Sequence, residues 1–171
     1  METIKCIKAG IENKIPTYVR LTGAANNPIV YAKDYDFEIG KSIKLKDGKD
    51  ITIFCTGSMV SESLKSASIL EKFNINPSVI NIHTIKPIDK SAVNQACKNS
   101  KIIVSVEEHN IIGGLGSAIA EVKSQIENSP KHLILGIKDL YGKGGSYNFL
   151  KKKHRLTAEL IAEDIKNIYD R

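Results

Sequence analysis

Long apolar runs are absent from this chain of 171 residues. No segment approaches the roughly 18 consecutive apolar residues that a membrane span needs, and the opening METIKCIKAG is charged. A spanning helix and an export leader are therefore not expected, and the sequence reads as a soluble, cytoplasmic protein without a membrane partner. Cysteine is scarce: Cys6, Cys55 and Cys97 are odd in number, widely spaced, and form neither a CxxC pair nor a metal-ligand spacing with histidine. That pattern excludes a disulfide framework and a zinc centre and leaves reduced core thiols. Arginine is scarcer than its charge class suggests. Of the 25 basic side chains only Arg20, Arg155 and Arg171 are arginine, and the lysines behind the net charge of +6 are interspersed with Asp and Glu. Nucleic-acid surfaces favour arginine and stacking aromatics, so this charge reads as a solvated basic face, with one cluster at 151–155.

Motifs are missing too. Gly113-Gly114-Leu115-Gly116 is not GxGxxG and has no acidic residue at the ribose distance, and Gly142 to Ser146 has the composition of a phosphate loop without its spacing. Ser58, Ser105 and Cys55 lack any GxSxG-like context, so no catalytic set is assigned.

What is present is a repeated grammar from Asp50 onward. DITIFCTG, NPSVINIHTI, KIIVSVEE and HLILGI read as buried strands. Between and after them, SESLKSASILEKF, KPIDKSAVNQACKN, SAIAEVKSQIEN and TAELIAEDIKNIYD read as helices, the first with Leu64, Ala67 and Leu70 on one face and the last with Ile161, Ile165, Ile168 and Tyr169. Strands alternating with helices imply right-handed βαβ units, hence an α/β fold with a mainly parallel sheet covered by helices on both faces. A hydrophobic content of 42% suits one compact domain. Residues 1–49 differ. TIKCIKAGIENKI predicts a helix, PTYVRL a strand, and the rest is polar and turn-rich, so one helix and one strand stand without a core of their own, like the tail of another domain joined by a linker.

In an open parallel sheet, ligands gather beyond the carboxyl ends of the strands. Three segments are expected there: Thr56-Gly57-Ser58, His83 to Lys86, and Glu107-Glu108-His109 with Gly113 and Gly114. Ser58 or Ser61 suits a helix cap. Successive strand residues point to opposite faces, which argues against Glu107 and Glu108 acting as an acid/base pair; one is expected inward and the other toward solvent. His83 and His109 sit at strand ends, where a hydrogen-bonded loop histidine and a proton-transfer role are both open.

GKDITIFCTGSMVSESLKSASILEK, VINIHTIKPID and VSVEEHNIIGGLGSAIAEV resemble the C-terminal domain of transketolases, above all the split bacterial type with its halves on separate chains. PTYVRL and YDFEIGKSIKL resemble the exit from that family's pyrimidine-binding domain and the following linker. The resemblance covers nearly the whole chain. It implies residues 1–27 as the end of a pyrimidine-binding domain, 28–49 as linker and 50–171 as the C-terminal domain. It further implies an assembled enzyme that moves a two-carbon ketol unit between sugars with thiamine diphosphate and Mg2+, the cofactor lying on domains this chain lacks. This chain alone then binds no cofactor, holds no metal, and serves subunit association or regulatory ligand binding; its expected partners are a second copy and the N-terminal portion. VEEHNIIGGLG becomes a packing and interface loop. One departure is notable: where the family commonly carries an arginine for the sugar phosphate, this chain has Gly23, with Arg20 nearby, and glycine offers no bidentate grip. The alternatives are the docking tail of a 2-oxoacid dehydrogenase β subunit and a free-standing regulatory module.

Overall fold

The computed structural model describes residues 1–22, 28–31 and 33–170. Five strands form one sheet: β1 (Ile43–Lys46), β2 (Ile51–Cys55), β3 (Pro77–Asn81), β4 (Ile102–Asn110) and β5 (Lys131–Ile137). Their order is β1-β3-β2-β4-β5, with β1 antiparallel to β3 and every other pair parallel. The α/β reading with a mainly parallel sheet therefore holds. β2 lies at the centre, and all five of its residues are buried because helices cover both its faces.

Side-chain alternation divides the core in two. Ile51, Ile53 and Cys55 face one side together with Val104 and Val106, and meet Ala67 and Leu70 of α2 (Met59–Glu71) and Ile161 and Ile165 of α6 (Ala158–Tyr169). Phe54, Ile80 and Ile103 face the other side and meet Val93 and Ala96 of α3 (Lys90–Asn99) and Leu115 and Ile119 of α4 (Leu115–Lys123). Each fully buried Ile, Leu or Phe contributes about 1.5–3 kcal/mol, so the two layers together form the cohesive part of the molecule.

Several boundaries differ from the sequence reading. The third helix begins at Lys90, not Lys86, because Asp89 caps it by accepting from the Ala92 amide at 3.0 Å. The fourth begins at Leu115, two residues before the expected serine, for a reason given below. The expected strand NPSVINIHTI pairs only through Pro77–Asn81. The sheet begins inside the stretch read as linker, since β1 adds to the edge of β3 with a register irregularity between Lys44 and Lys46. A further short helix, α5 (Tyr147–Lys153), went unread because its sequence resembles a basic surface run. Lys151 of that run pairs with Glu62 at 3.2 Å, and Arg155, just beyond it, with Asp164 at 2.7 Å, so part of the basic cluster holds α5 and α6 in place.

The N-terminal segment forms the helix α1 (Glu2–Glu12), none of whose residues is fully buried. PTYVRL is not a strand: residues 16–21 share no strand ladder with the described sheet, and Tyr18 is 88% exposed. A strand needs a neighbour for its ladder of N–H and C=O groups, and none of the described strands is adjacent. Of the three cysteines only Cys55 is fully buried; Cys6 and Cys97 are half-buried, and all three are free thiols.

Candidate functional site

Strand order reverses at β2: β3 lies on one side of it and β4 on the other, so the crevice between the carboxyl ends of β2 and β4 is the topological switch point. Thr56, Gly57 and Ser58 line it from β2, and Glu108 and His109 from β4. Ser58 occupies the start of α2 but caps no backbone amide; its hydroxyl instead donates to Glu108 Oε2 in a very short contact. The Tyr147 hydroxyl, arriving from α5, donates to the same oxygen at 2.7 Å. Burial first, and then the Glu108 carboxylate, push the Tyr147 phenol above its ordinary pKa. The crevice is thus closed by a serine, a glutamate and a tyrosine from three different elements.

Glu107 points the other way. It is fully buried, and its two oxygens accept from the Leu115 amide at 2.7 Å and the Gly116 amide at 2.8 Å. A carboxylate from the strand therefore caps α4, satisfying two of the amides that open a helix and complementing its dipole. This cap sets the start of α4 at Leu115. Gly114 has to be glycine for the same reason, since a Cβ there would lie 2.0 Å from Glu107 Oε2. The two glutamates do point to opposite faces, but the second does not turn to solvent: Glu107 serves α4 on one face, and the half-buried Glu108 accepts from Ser58 and Tyr147 on the other.

The same device recurs around this end of the sheet. Asp89 caps α3 and also accepts from the Ser42 amide and hydroxyl, both at 2.9 Å. Burial alone would raise its pKa, but the bonds from Ser42 and Ala92 outweigh it and leave the pKa lowered. Glu62 of α2 accepts from the Ala158 amide at 2.9 Å and so caps α6. Three helix starts that would attract a phosphate thus already hold one of the protein's own carboxylates, and Glu108 stands beside a fourth, that of α2, through the Ser58 hydroxyl.

His83 and His109 part company. His83 is half-buried behind β3, stacks on Phe37 with ring centres 4.1 Å apart, and meets Thr84 Oγ1 through Nδ1 at 2.9 Å; burial lowers its pKa. His109 is exposed, and its Nδ1 lies 3.0 Å from Arg20 Nη1. That contact ties the extended segment 16–21 to β4. Replacing His109 by Ala is expected to change stability by less than about 0.5 kcal/mol while raising backbone exchange near Arg20, measured by denaturation and hydrogen exchange. Lys86 and Gly113 stand elsewhere, together with Gly114, lining a groove of about 750 Å3 between α3 and α4. Gly23, at the place of the family's arginine, lies outside the described residues.

A family model described as the C-terminal domain of transketolase matches residues 40–161. This chain belongs to that transketolase family. Among its relatives, a putative transketolase C-terminal section of Methanocaldococcus jannaschii is 39% identical over 165 residues, which is 95% of this chain and 51% of that protein. A 6-deoxy-6-sulfo-D-fructose transketolase subunit, SqwH, of Clostridium sp. strain MSTE9 is 38% identical over 91% of this chain and 48% of its own length. Among solved structures, one described as a split gene transketolase, inactive beta4 tetramer, superposes with a TM-score of 0.74 at 35% identity, covering 82% of this chain and 45% of the other. The chain thus spans about half the length of the transketolase relatives it matches. The matched region takes in β1 to β5 and the start of α6, so the carboxylate-capped sheet edge is a feature of the transketolase C-terminal domain as this chain builds it.

Sequence reasoning missed Tyr147, Glu62 and Asn81 as partners in this edge. No motif marks them, because each acts across more than 35 positions of the chain: Tyr147 on Glu108, Glu62 on Ala158, and Asn81 on Glu2.

Proposed function

We propose that this chain is the C-terminal section of a transketolase-like, thiamine-diphosphate-dependent transferase that moves a two-carbon ketol unit between sugars, acting with an N-terminal section that carries the cofactor sites. The observation that carries this reading is the outward apolar face of α1. Ile4, Ile7 and Ile11 follow helical spacing yet are 60%, 44% and 79% exposed, and Ile15, Tyr18 and Leu21 continue the surface. Monomeric proteins rarely leave such a patch uncovered. A helix with an unburied stripe followed by an extended segment with no strand partner is half of a layer whose sheet is supplied by another section. The match to about half of a relative that is itself named a C-terminal section supports reading this chain as the C-terminal portion of such a section.

The residues of this chain do not suit the cofactor. Thiamine diphosphate asks for a pyrophosphate cradle and a divalent metal. The starts of α3, α4 and α6 are occupied by Asp89, Glu107 and Glu62, Glu108 stands beside that of α2, and no group of three His, Cys, Asp or Glu among the described residues is arranged to hold a metal. We therefore assign this chain to assembly and take it to be inactive alone, with two copies in the assembled enzyme. A related chain, of which this one covers 45%, is described as an inactive beta4 tetramer, which supports self-association.

Calorimetric titration of the chain with thiamine diphosphate and Mg2+ is expected to show no saturable heat, and ketol transfer is expected only after mixing with the N-terminal section. Micromolar cofactor binding by the chain alone would overturn the assignment.

A further inference from the structure

We infer that Asn81 is a positioning residue: through a part-buried joint with Glu2 and Tyr31 it fixes the pose of α1 on the α/β domain, and with it the direction in which the isoleucine stripe faces. Asn81 is the last residue of β3 and is fully buried. Its amide Nδ2 donates to Glu2 Oε2 at 2.6 Å and to the Tyr31 hydroxyl, while that hydroxyl donates to Glu2 Oε2 at 3.0 Å. The three bonds close a triangle among three segments that are distant in sequence: the first turn of α1, the stretch 28–31, and the sheet.

A second clamp lies one helical turn along. Lys5 pairs with Asp34 at 2.7 Å, donates to the Tyr35 carbonyl, and stands over the Tyr35 ring, which in turn stacks on Tyr31 with centres 4.1 Å apart. Glu2 and Lys5 are three residues apart, so both point from one face of α1 toward the domain. Ile4, Ile7 and Ile11 are left outside. The polar face is therefore the fixed one and the apolar face the offered one, the reverse of an ordinary surface helix.

Hydrogen bonds suit this task better than an apolar contact would. An apolar contact tolerates sliding and rotation, whereas an amide with two donors committed to two acceptors defines both distance and angle. An 11-residue helix is marginal by itself in water, so α1 depends on this tether for its persistence as well as its pose. Burial is the first cause that raises the Tyr31 pKa, and the nearby Glu2 carboxylate raises it further, so the phenol keeps its proton for the bond to Glu2 through neutral pH.

The assembly role of the joint rests on the reading proposed above, but its hold on α1 does not, and the two are separable. Two variants are needed: Asn81→Leu, which keeps the volume and removes both donors, and Tyr31→Phe, which removes one hydroxyl from a half-buried position and keeps the fold. Hydrogen exchange of the whole chain is the first readout. In both variants the amides of residues 5–12 are expected to lose protection at least tenfold while those of β2 and β4 keep theirs; unchanged protection in α1 would overturn the joint. The second readout is the affinity for the N-terminal section, expected to fall at least tenfold in Asn81→Leu and to recover partly in Asn81→Gln. Loss of α1 protection with unaltered affinity would overturn the positioning role. A wild-type chain that does not associate would overturn the assembly role and the proposed function together, leaving the hold on α1 decided by the exchange data.

Discussion

Replacing Glu107 by Ala is expected to cost about 3 kcal/mol of folding stability, the net value of two charge-assisted hydrogen bonds to buried amides that would then have no acceptor. Removing the carboxylate also removes the cost of burying it, so the figure lies below the simple sum of the two bonds. Glu107→Gln keeps one acceptor but sets its NH2 group against the second amide, and an intermediate loss is expected. For a domain of this size about 3 kcal/mol corresponds to a fall of roughly 6–12 °C in Tm. Denaturant unfolding with an unchanged slope is the appropriate measurement, since it separates lost stability from an altered unfolded state. A loss below about 1 kcal/mol would show that desolvation of Glu107 cancels its bonds. Gly114→Ala tests the same contact from the other side: its Cβ would fall 2.0 Å from Glu107 Oε2, so the cap must open or α4 must shift. The loss there is expected to be of similar size, and the double variant less than additive because both changes break one interaction.

Acid is expected to destabilise the domain through His132, whose Nε2 lies 3.0 Å from the hydroxyl of the fully buried Ser105. Burial first, and then the buried Lys123 ammonium, depress its pKa to about 4. The unfolded chain takes up this proton near pH 6.5, while the folded protein does so only near pH 4. Between those values the unfolded state holds more protons, so stability falls as pH drops from 6.5 toward 4 and is fully present above that window. At 1.36 kcal/mol per pKa unit the ceiling is about 3 kcal/mol, and partial solvent access brings the observed value below it. His83, also depressed by burial, adds in the same direction. His132→Gln is expected to flatten the stability profile over this range without abolishing folding. An NMR titration should place the His132 midpoint well below 6. A midpoint near 6.5 would show the ring to be solvated and would remove the predicted slope.

Both predictions concern groups that looked like site residues or escaped notice in the sequence, and the reason is geometric. The periodicity of DITIFCTG and KIIVSVEE, and the helical spacing of Ala67 with Leu70 and of Ile161 with Ile165, were enough to define an α/β sheet with two covered faces. Burial follows side-chain alternation, and alternation is written in the chain. The opposite orientation of Glu107 and Glu108 was legible on the same ground. The VEEHNIIGGLG wording carried the transketolase resemblance as well, because a strand, a cap and a glycine turn must sit at fixed spacing to begin a helix there.

Tertiary structure alone decided what those side chains do. Whether a strand-end glutamate meets substrate, solvent or a helix amide depends on which helix start the fold brings within 3 Å, and no local pattern encodes that distance. The segment PTYVRL shows the limit from the other side. Its β-propensity is plain, yet it forms no strand here, because a strand exists only by pairing and none of the described strands pairs with it. Asn81 is the converse case: an unremarkable residue in VINIHTIKP becomes the tie between α1 and the domain, because chain connectivity sets Glu2 and Tyr31 free to reach it while the sheet buries its amide away from water. Local spacing determined the elements and their buried faces; the long-range contacts, which cost loop entropy and are repaid only when the whole fold closes, determined the function of the polar groups between them.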